Sequence, residues 1–464
     1  MKLQELFKKL PIDEKYNFDI NKITTNTNEV EDGSLFIAIK GTAVDTHNRK
    51  YIDEAYKNGA RAFVTEEEVR IPKDAVQFVV SDTRKTVGLI ASTFYGHPSQ
   101  SLKIIGITGT KGKTSCTFIL KGMLEKLGKK CGIIGTSGAF FYNEHIELKN
   151  TTPDPITLQK LLRRALDMGL EYILMEVSSQ AMKQWRVMGT KFLITAFTNI
   201  SPDHIGPTEH KDFEEYMSWK RKFLMLSRKV IMNSDDEHFA EMTAPMKNTI
   251  VTVGESGKDF TMTNVSEHSF DLNGRTIETN LMGKYNMRNL ALSIATLNEV
   301  GFRMDDLVNT TSNIFIPGRM EIIEKNERKF VIDYAHNKLS LLNLLSEIKS
   351  WKPGRIIVVV GTVGERTFER RHEIPEAINQ YAHEAIFTAD NPNHEDPEKI
   401  ANEMASHSLI PTKVIADRKT AIETAFRDSN PGDVIVVAGK GDETHQLING
   451  ERIHYSDREI IEKL

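Results

Sequence analysis

The segment GTKGKTS at positions 109–115 has the residue types of a phosphate-binding loop. An apolar run at 104–107 precedes it, and an apolar pattern with helical spacing follows it. Its glycines let successive backbone N–H groups face one anion, and the N-terminus of the following helix adds positive potential. Lys113 would neutralise phosphate charge, and the hydroxyl of Thr114 would bind Mg²⁺. The pattern therefore predicts a strand, a loop and a helix that bind ATP.

This loop departs from the ordinary Walker motif, because the position five residues before Gly112 is Ile107 rather than glycine. Taken alone, such a loop also fits a structural glycine turn. The ending Gly-Lys-Thr between a strand pattern and a helix pattern favours the nucleotide site.

Glu176 lies near the end of a second apolar run, 172–177, which has the pattern of a buried strand. A carboxylate at the carboxyl end of a parallel strand lies where open α/β sheets bind ligands. We therefore predict that Glu176 binds Mg²⁺, directly or through water. The alternative is that its carboxylate caps the next helix.

A loop at 200–210 contains His204 and His210 among proline and glycine residues. The composition suggests a second cation or phosphate site, although a histidine in a solvated loop is the commoner case. The helix predicted next, 213–224, carries Lys220, which by periodicity alone is an ordinary surface lysine.

Asn286 and Asn289 lie three residues apart, before an alanine-rich helical pattern at 290–300. At such a helix start the two amides would either cap the helix or bind the base of a nucleotide. The pattern leaves both interpretations open.

Polar clusters follow four of the apolar strands predicted beyond residue 318. In a doubly wound sheet the carboxyl ends of parallel strands share one edge, where ligands bind. Four clusters at that edge predict a binding site. The clusters are DYAH at 333–336, GTVGER at 361–366, DNPNHEDP at 390–397 and GKGDE at 439–443.

The elements that must position these residues form three α/β segments, because strand-like and helix-like runs alternate along the chain. Residues 1–98 predict a smaller mixed α/β domain, residues 99–317 a central P-loop-type domain, and residues 318–464 a doubly wound, Rossmann-like domain. In the first of these, the polar loop at 24–41 would hold a ligand or form a structural turn. The predicted strands are 35–39, 62–65, 104–107, 172–177, 192–199, 330–332, 356–360, 385–388, 414–415 and 434–437, and the predicted helices are 51–58, 84–95, 213–224 and 290–300.

Charge and cysteine content argue against several classes of protein. Lysine and arginine number 60 against 64 acidic residues, so nothing indicates a nucleic-acid or anionic-membrane surface. No stretch approaches the roughly 20 apolar residues of a membrane span, and the first 16 residues have no signal-peptide core, so we expect a cytoplasmic protein. The two cysteines, Cys116 and Cys131, predict free thiols in a reducing compartment.

In combination and order, these motifs resemble those of the Mur ligases, specifically the MurE type that adds the third residue to UDP-N-acetylmuramoyl-L-Ala-D-Glu. The resemblance covers nearly the whole chain, and no single motif carries it. The matching motifs are GTKGKTS at 109–115, NTTPD at 150–154, MEVSSQA at 175–181, FTNISPDH at 197–204, YMSWK at 216–220, GKYNMRN at 283–289, PGRME at 317–321, DYAH at 333–336, DNPNHEDP at 390–397 and AGKGDE at 438–443.

The resemblance implies an amide ligase with ATP and Mg²⁺ as cofactors. Lys113, Glu176, His204 and Lys220 match catalytic positions of the family. Thr114, Glu176 and His204 match the Mg²⁺ site, and Lys220 matches a lysine that is carbamoylated. The modification has physical sense, because a carbamate can orient Mg²⁺ where an ammonium would repel the metal.

Three further sets of residues match binding positions of the family. The ATP set is Gly109, Thr110, Lys111, Gly112, Lys113, Thr114, Ser115, Asn286, Asn289, Arg319 and Asp333. The set for the UDP-sugar peptide is Thr27, Thr151, Thr152, Ser178, Gln184 and Arg186. The amino-acid set is Arg371, Asp390, Asn391, Pro392, Asn393, Gly439 and Glu443. Two departures from the family, Asn28 for arginine and Gln180 for histidine, concern contacts to the sugar nucleotide.

The resemblance also implies a reaction path. The side-chain carboxylate of the D-Glu attacks the γ-phosphate of ATP, which forms an acyl phosphate and releases ADP. An amine then attacks the acyl phosphate, and phosphate leaves as the amide forms. Lys113, Arg319 and Mg²⁺ would neutralise the developing charge. With ATP in the central domain and the amino acid in the last, closure about residues 316–319 would exclude water.

The incoming amino acid is predicted from residue 393. Members that use meso-diaminopimelate have Asp-Asn-Pro-Arg here, and the arginine pairs with the distal carboxylate, whereas this chain has Asn393. Asp442 stands where those members have histidine. Asp442, Glu443, Glu395 and Asp396 add negative charge that suits a side-chain ammonium. The sequence thus favours L-lysine and leaves L-ornithine and meso-diaminopimelate open.

Three other interpretations compete with this one. A folylpolyglutamate synthetase would share the ATP loop and the carbamoylated lysine, but not the last two motifs. An amidotransferase partner of the same superfamily needs four cysteines, whereas this chain has two. A catalytically silent homologue with a binding or regulatory role is the third.

The partners we expect are the three small-molecule substrates, UDP-N-acetylmuramoyl-L-Ala-D-Glu, L-lysine and ATP. We expect no nucleic acid, no membrane span and a monomer.

Overall fold

The structure is a computed structural model that describes residues 1–7, 13–41, 45–206 and 209–464. The chain divides into two compact units, Met1–Ile314 and Phe315–Leu464. The described strands form four sheets, two in each unit. In the described part of the chain, no helix is both long and apolar enough to cross a membrane.

The first sheet has four parallel strands in the order β1-β2-β3-β4. Its two central strands are buried on both faces, which explains their continuous apolar sequences. The strands are β1 (Lys22–Thr24), β2 (Ser34–Ile37), β3 (Ala62–Thr65) and β4 (Val76–Val79).

The second sheet has eleven strands in the order β15-β14-β13-β12-β11-β10-β5-β9-β6-β7-β8. The strands are β5 (Lys103–Thr108), β6 (Cys131–Gly135), β7 (Gly138–Phe141), β8 (Glu144–Ile146), β9 (Tyr172–Glu176), β10 (Ile194–Phe197), β11 (Lys229–Asn233), β12 (Thr249–Gly254), β13 (Phe260–Thr263), β14 (Ser269–Leu272) and β15 (Arg275–Glu278). Strand β5 pairs in parallel with β10 on one side and β9 on the other. The residues that follow these three strands therefore emerge at one edge, where a ligand site is expected.

Ten α-helices are described in the first unit, and three short 3₁₀ turns lie at Glu14–Tyr16, Thr27–Glu29 and Pro98–Gln100. The helices are α1 (Leu3–Leu6), α2 (Arg49–Lys57), α3 (Thr83–Phe94), α4 (Lys113–Lys126), α5 (Pro155–Asp167), α6 (Ser179–Lys183), α7 (Phe213–Leu224), α8 (Phe239–Thr243), α9 (Lys284–Val300) and α10 (Met304–Val308). Helix α9 begins at residue 284 rather than 290, because polar residues of its first turns continue the helix.

The second unit contains a six-stranded sheet in the order β16-β17-β21-β18-β19-β20 and a separate hairpin, β22-β23. Only β16 is antiparallel to its neighbour in the larger sheet. The strands are β16 (Glu321–Lys325), β17 (Arg328–Asp333), β18 (Ile356–Val360), β19 (Glu384–Phe387), β20 (Thr412–Val414), β21 (Val434–Ala438), β22 (His445–Ile448) and β23 (Glu451–His454). The helices are α11 (Lys338–Ser350), α12 (Arg370–Ile378), α13 (Pro397–Ser406), α14 (Arg418–Asp428) and α15 (Asp457–Lys463).

These sheets confirm the predicted fold class, an α/β chain with a P-loop-type central sheet and a doubly wound C-terminal sheet. The four polar clusters of the second unit follow β17, β18, β19 and β21, which are adjacent parallel strands. They therefore lie at one edge, as the sequence predicts. The last three strands at one end of the central sheet, β13, β14 and β15, were not predicted, because polar residues alternate along them and leave only short apolar patterns.

Candidate active site

The glycine loop joins β5 to α4, and Lys113 is the first residue of that helix. The ammonium of Lys113 donates to the carbonyl oxygens of Gly109 at 2.9 Å and Thr110 at 3.0 Å. A side chain at Gly109 would stand 1.9 Å from the Thr198 hydroxyl oxygen, so only glycine fits there. Lys111 and Gly112 end the loop, and the buried Thr114 and Ser115 follow Lys113 in the first turn of α4.

Two residues after β10 hold this loop in place, although no role is predicted for them from the sequence. The Asn199 side-chain oxygen accepts from the Lys111 backbone N–H at 3.0 Å, and its carbonyl accepts from that of Thr110 at 2.8 Å. The Thr198 hydroxyl donates to the Lys111 carbonyl at 2.6 Å. Their signal in the sequence was present: two polar residues directly follow an apolar strand that pairs with β5.

Glu176 lies at the end of β9 and is 1 % exposed. Its carboxylate accepts from the Thr114 hydroxyl at 3.0 and 3.1 Å, and from the Thr136 backbone N–H and hydroxyl at 3.0 Å each. A side chain at Gly135 would come within 2.2 Å of this carboxylate. The helix-cap alternative is wrong, because Ser178 caps α6. Glu176 therefore belongs to the site beside the glycine loop 109–112, which we call the loop site.

The donor set around Glu176 fits Mg²⁺. Among the described residues, no three His, Cys, Asp or Glu side chains lie close enough to hold a metal ion. Mg²⁺ is often bound by one or two carboxylates together with substrate phosphates and water, so a cage of protein ligands is not required. The Thr114 hydroxyl and the Glu176 carboxylate, in contact beside the glycine loop, are suitable ligands.

Lys220 is 2 % exposed, so its interpretation as a surface lysine is wrong. Its ammonium nitrogen donates to the Gly109 carbonyl at 2.8 Å and lies 4.5 Å from the centre of the Tyr216 ring. Burial, and next the positive charge of Lys113, lower the pKa of Lys220 well below its ordinary value. Tyr216 is fixed in turn, because its hydroxyl lies 3.0 Å from that of Thr110.

The two loop histidines differ. His204 is more than half exposed and its Nδ1 lies 2.8 Å from a Glu209 carboxylate oxygen, so the structure pairs it with Glu209 rather than with Glu176. His210 is fully buried, so its interpretation as a solvated loop histidine is wrong. Its Nε2 lies 2.9 Å from the Ser179 hydroxyl. Burial lowers the pKa of His210.

Five of the six residues predicted for the UDP-sugar peptide lie around Glu176. The Thr152 hydroxyl donates to the Glu176 carbonyl at 3.0 Å and accepts from the Ser178 N–H at 3.1 Å. Hydrogen bonds of 3.0 Å or less also join Thr151 to Thr136, Arg186 to Thr152, and Arg186 to Gln184. Thr27 lies in the first sheet's domain, where its hydroxyl donates to Glu54 at 3.0 Å and the neighbouring Asn28 is exposed.

Asn286 and Asn289 are buried in the first turns of α9, whose N-cap is Gly283, so the capping interpretation is wrong. Asn286 donates to the Met282 carbonyl at 2.8 Å, while its side-chain oxygen is buried and has no hydrogen-bond partner among the described residues. An unpaired buried acceptor suits the amino group of adenine. Asn289 packs against the loop, since a side chain at Gly112 would meet its oxygen at 2.6 Å.

In the second unit, a lysine with no predicted role lies at the centre of the predicted amino-acid residues. Lys440 is fully buried, and its ammonium lies 3.3 Å from Asp390, 3.1 Å from the Asn391 side-chain oxygen and 2.8 Å from Glu443. Asn391 also donates to Glu443 at 3.1 Å. Gly439 begins the same turn, and its N–H donates to the Asp333 carbonyl.

Arg371 and Asn393 lie beside this cluster. Arg371 forms ion pairs with Glu395 and Glu403 through its two terminal nitrogens, and its Nε is buried without a partner among the described residues. Asn393 follows Pro392 with a φ of 53° and donates its amide to Glu365. Its side-chain oxygen accepts from the Gly450 N–H of the β22-β23 turn at 3.1 Å.

Arg319 and Asp333, the ATP residues predicted in this unit, also lie at its strand ends. The Arg319 guanidinium lies 4.3 Å from the centre of the Tyr334 ring and 3.8 Å from Asp442. Asp333 accepts backbone N–H groups from Met320 and Ala335 at 2.8 Å each.

Three family models match successive parts of the chain. The Mur ligase family catalytic domain matches residues 19–95, the Mur ligase middle domain residues 107–297, and the glutamate ligase domain of Mur ligases residues 318–441. The UDP-N-acetylmuramoyl-L-alanyl-D-glutamate--2,6-diaminopimelate ligase of Clostridium perfringens is 35 % identical over 459 residues, which cover 95 % of this chain and 94 % of that protein. The chain belongs to the Mur ligase family.

Relatives of this Mur ligase differ in the amino acid that their names contain. The UDP-N-acetylmuramoyl-L-alanyl-D-glutamate--L-lysine ligase of Streptococcus agalactiae (serotype III) is 34 % identical over 460 residues, covering 96 % of this chain and 93 % of that protein. A solved structure of a 2,6-diaminopimelate ligase of the same type has a TM-score of 0.72 at 27 % identity and covers 100 % of this chain and 98 % of its own. Overall similarity therefore does not decide between the two amino acids.

Proposed function

We propose that this Mur ligase joins L-lysine to the D-Glu side-chain carboxylate of UDP-N-acetylmuramoyl-L-Ala-D-Glu, with ATP and Mg²⁺. In this proposal residues 1–98 bind the UDP-sugar peptide, residues 99–317 bind ATP, and residues 318–464 bind the amino acid. Similarity over nearly the full length to ligases of this substrate supports the assignment. The observation that carries the proposed ATP-dependent ligation is the contact between Thr114 and Glu176 beside the glycine loop.

Residues of the loop site have separate tasks in this reaction. Lys113, which donates to two loop carbonyls, supplies positive charge to the transferred phosphate. Thr114 and Glu176 would hold Mg²⁺, which when bound supplies positive charge to phosphate oxygens. Thr136 and Thr114 both donate to Glu176, so they fix the direction of its carboxylate. Asn286 offers an unpaired acceptor to the adenine.

Lys220 is suited to carbamoylation. A neutral amine attacks carbon dioxide, and the amine then loses a proton as the carbamate forms. The lowered pKa of Lys220 means that the amine is neutral at a lower pH than an exposed lysine. The product is an anion beside the loop, where an ammonium would repel Mg²⁺.

The four carboxylates predicted to attract the L-lysine ammonium already have partners within the protein. Glu443, Glu395 and Asp442 each have a cationic partner, and Asp396 caps α13, so these carboxylates are not free charges. Lys440 and Arg371, however, each face two carboxylates, which leaves one negative charge in each group. A single side-chain ammonium complements such a surplus, whereas the second carboxylate of diaminopimelate would be repelled.

The test is ADP release by the purified protein with ATP, Mg²⁺ and UDP-N-acetylmuramoyl-L-Ala-D-Glu, with L-lysine, L-ornithine and meso-diaminopimelate in parallel. Release with L-lysine at the highest kcat/KM supports the proposal in full. Preference for meso-diaminopimelate would keep the ligase and overturn the choice of amino acid. Release with none of them would favour the silent homologue.

Two variants form a matched pair, because Glu176 ends β9 and Glu171 lies directly before its first residue. Glu176→Gln should abolish ADP release, and Glu171→Gln, at an exposed residue just before the strand, should not.

A further inference from the structure

The turn 439–443 has two sides with different partners. Lys440 and Glu443 face the cluster that contains Asp390 and Asn391. Asp442, between them in the sequence, instead faces Arg319 at 3.8 Å. The carboxylate of Asp442 is 16 % exposed and the Arg319 side chain 17 %, so this ion pair is largely shielded from water.

The backbone of this turn packs tightly against the segment that carries Arg319. A side chain at Gly318 would stand 2.1 Å from the Asp442 nitrogen. A side chain at Gly441 would stand 2.8 Å from the Gly318 carbonyl oxygen and 3.0 Å from an Arg319 terminal nitrogen. Two glycines at one crossing allow this approach, so a shift of the turn must be transmitted to residues 318–319.

Tyr334 completes the surroundings of Arg319. The guanidinium lies 4.3 Å from the ring centre and donates to the Gly318 carbonyl at 3.0 Å. Burial, followed by the charge of Glu443, raises the pKa of Tyr334 to about 12, so the ring is not an anion at neutral pH and acts as a neutral stacking surface. Arg319 is thus held on three sides: by a ring, a carbonyl and the Asp442 carboxylate.

We propose that Asp442 is a positioning residue for Arg319 and does not select the amino acid. The acid stands in the amino-acid turn, but its charge is directed to the arginine that the resemblance assigns to ATP. Occupation of the cluster around Lys440 and Glu443 would then fix the same turn that holds Arg319. This inference rests on the proposed function, because it concerns how that reaction's arginine is oriented.

The kinetic test replaces Asp442 by asparagine, which keeps the shape and removes the charge. We expect kcat to fall about 5- to 10-fold, in the range of coupling between contacting charged groups. The KM for L-lysine and the preference for L-lysine over meso-diaminopimelate should change less than about twofold, because the proposal places no substrate contact on Asp442. Glu423→Gln, which removes an exposed carboxylate paired with Lys419 in the same unit, is the control and should leave kcat unchanged.

A double mutant separates positioning from general damage. In an Arg319→Lys background, the further change Asp442→Asn should cost much less than in the wild type, because the oriented guanidinium is already gone. Full additivity would overturn the proposal. A changed ratio of L-lysine to meso-diaminopimelate use in the single variant would also overturn it, since Asp442 would then face the amino acid.

Crystal structures of the wild type and of the Asp442→Ala variant test the proposal without an activity assay. We expect the guanidinium of Arg319 to leave the Tyr334 ring or to occupy several positions in the variant. An unmoved Arg319 would overturn the proposal even if the ligase assignment holds. If the wild-type protein releases no ADP, the proposed function fails, and the position of Arg319 still decides whether Asp442 holds it.

Discussion

The hydroxyl of Thr114 lies 3.0 and 3.1 Å from the two carboxylate oxygens of Glu176, across 62 residues of sequence. This contact joins the first turn of α4 to the end of β9. The contact places a hydroxyl and a carboxylate side by side, next to the loop where the phosphates of ATP would bind. Neither residue type alone is informative, but the pair, buried beside Lys113, offers the oxygen atoms that Mg²⁺ prefers as ligands.

Thr114→Val should therefore remove activity while the fold persists. Valine has nearly the shape of threonine but has no hydroxyl for Mg²⁺ or Glu176. We expect kcat to fall about 100-fold or more, as for loss of one group that stabilises transition-state charge. Steady-state ADP release across a Mg²⁺ titration is the measurement.

Thr114→Ser keeps the hydroxyl and is the control for that variant. It should retain most of the activity. Equal activity in Thr114→Val and Thr114→Ser would show that the hydroxyl has no part in the reaction.

Lys220 leads to a prediction about stability and pH. Its pKa is lowered in the folded protein, so between that lowered pKa and its ordinary value of 10.5 the unfolded chain binds more protons than the folded one. Stability must then rise with pH in this window, by up to about 1.4 kcal/mol per pH unit. Lys220→Met should lose this slope. Denaturant unfolding at several pH values in buffer free of carbon dioxide measures it, and parallel curves for both proteins would contradict the prediction.

Bicarbonate gives a separate test at the same residue. A carbamate on Lys220 needs carbon dioxide, so wild-type activity should fall in degassed buffer and return when bicarbonate is added. Lys220→Arg should be inactive under both conditions, because a guanidinium does not form the carbamate. Wild-type activity that is unaffected by thorough removal of carbon dioxide would argue against the modification.

Much of the fold was accessible from local patterns. The helix predicted at 213–224 is Phe213–Leu224, and the strand predicted at 356–360 is Ile356–Val360. The helix has an apolar periodicity and the strand is a continuous apolar run, and both signals come from the element's own residues. The first turns of α9 were missed because its polar residues are buried by the glycine loop, which lies far away in sequence.

The site was predicted less completely, for a physical reason. Lys220 and Lys440 are both fully or almost fully buried, and lysine is rarely buried without a partner. Their partners are the Gly109 carbonyl for one and Asp390 and Glu443 for the other, all of which come from tertiary contacts. Without a family resemblance, sequence periodicity places such lysines on the surface.

Lys440 itself allows a test of the amino-acid cluster. Lys440→Met leaves the buried Asp390 and the partly exposed Glu443 without their cation, so we expect a loss of about 3 kcal/mol in unfolding free energy. Lys440→Arg keeps the charge and should lose less. Chemical denaturation measures both, and a Lys440→Met protein as stable as the wild type would mean that the two acids are hydrated or protonated in the folded state.

Asn393→Arg tests the choice of amino acid. The variant restores the Asp-Asn-Pro-Arg sequence that the family resemblance implies for members using meso-diaminopimelate, and its cation would pair with a distal carboxylate. The added cation repels the side-chain ammonium of L-lysine and attracts the distal carboxylate of meso-diaminopimelate. We therefore expect kcat/KM for L-lysine to fall about 10-fold and kcat/KM for meso-diaminopimelate to rise. Asn393→Gln is the matched control, because Asn393 has a φ of 53° and any longer side chain is strained there. If the glutamine variant shifts the preference as far as the arginine variant does, backbone strain rather than charge sets the specificity at residue 393.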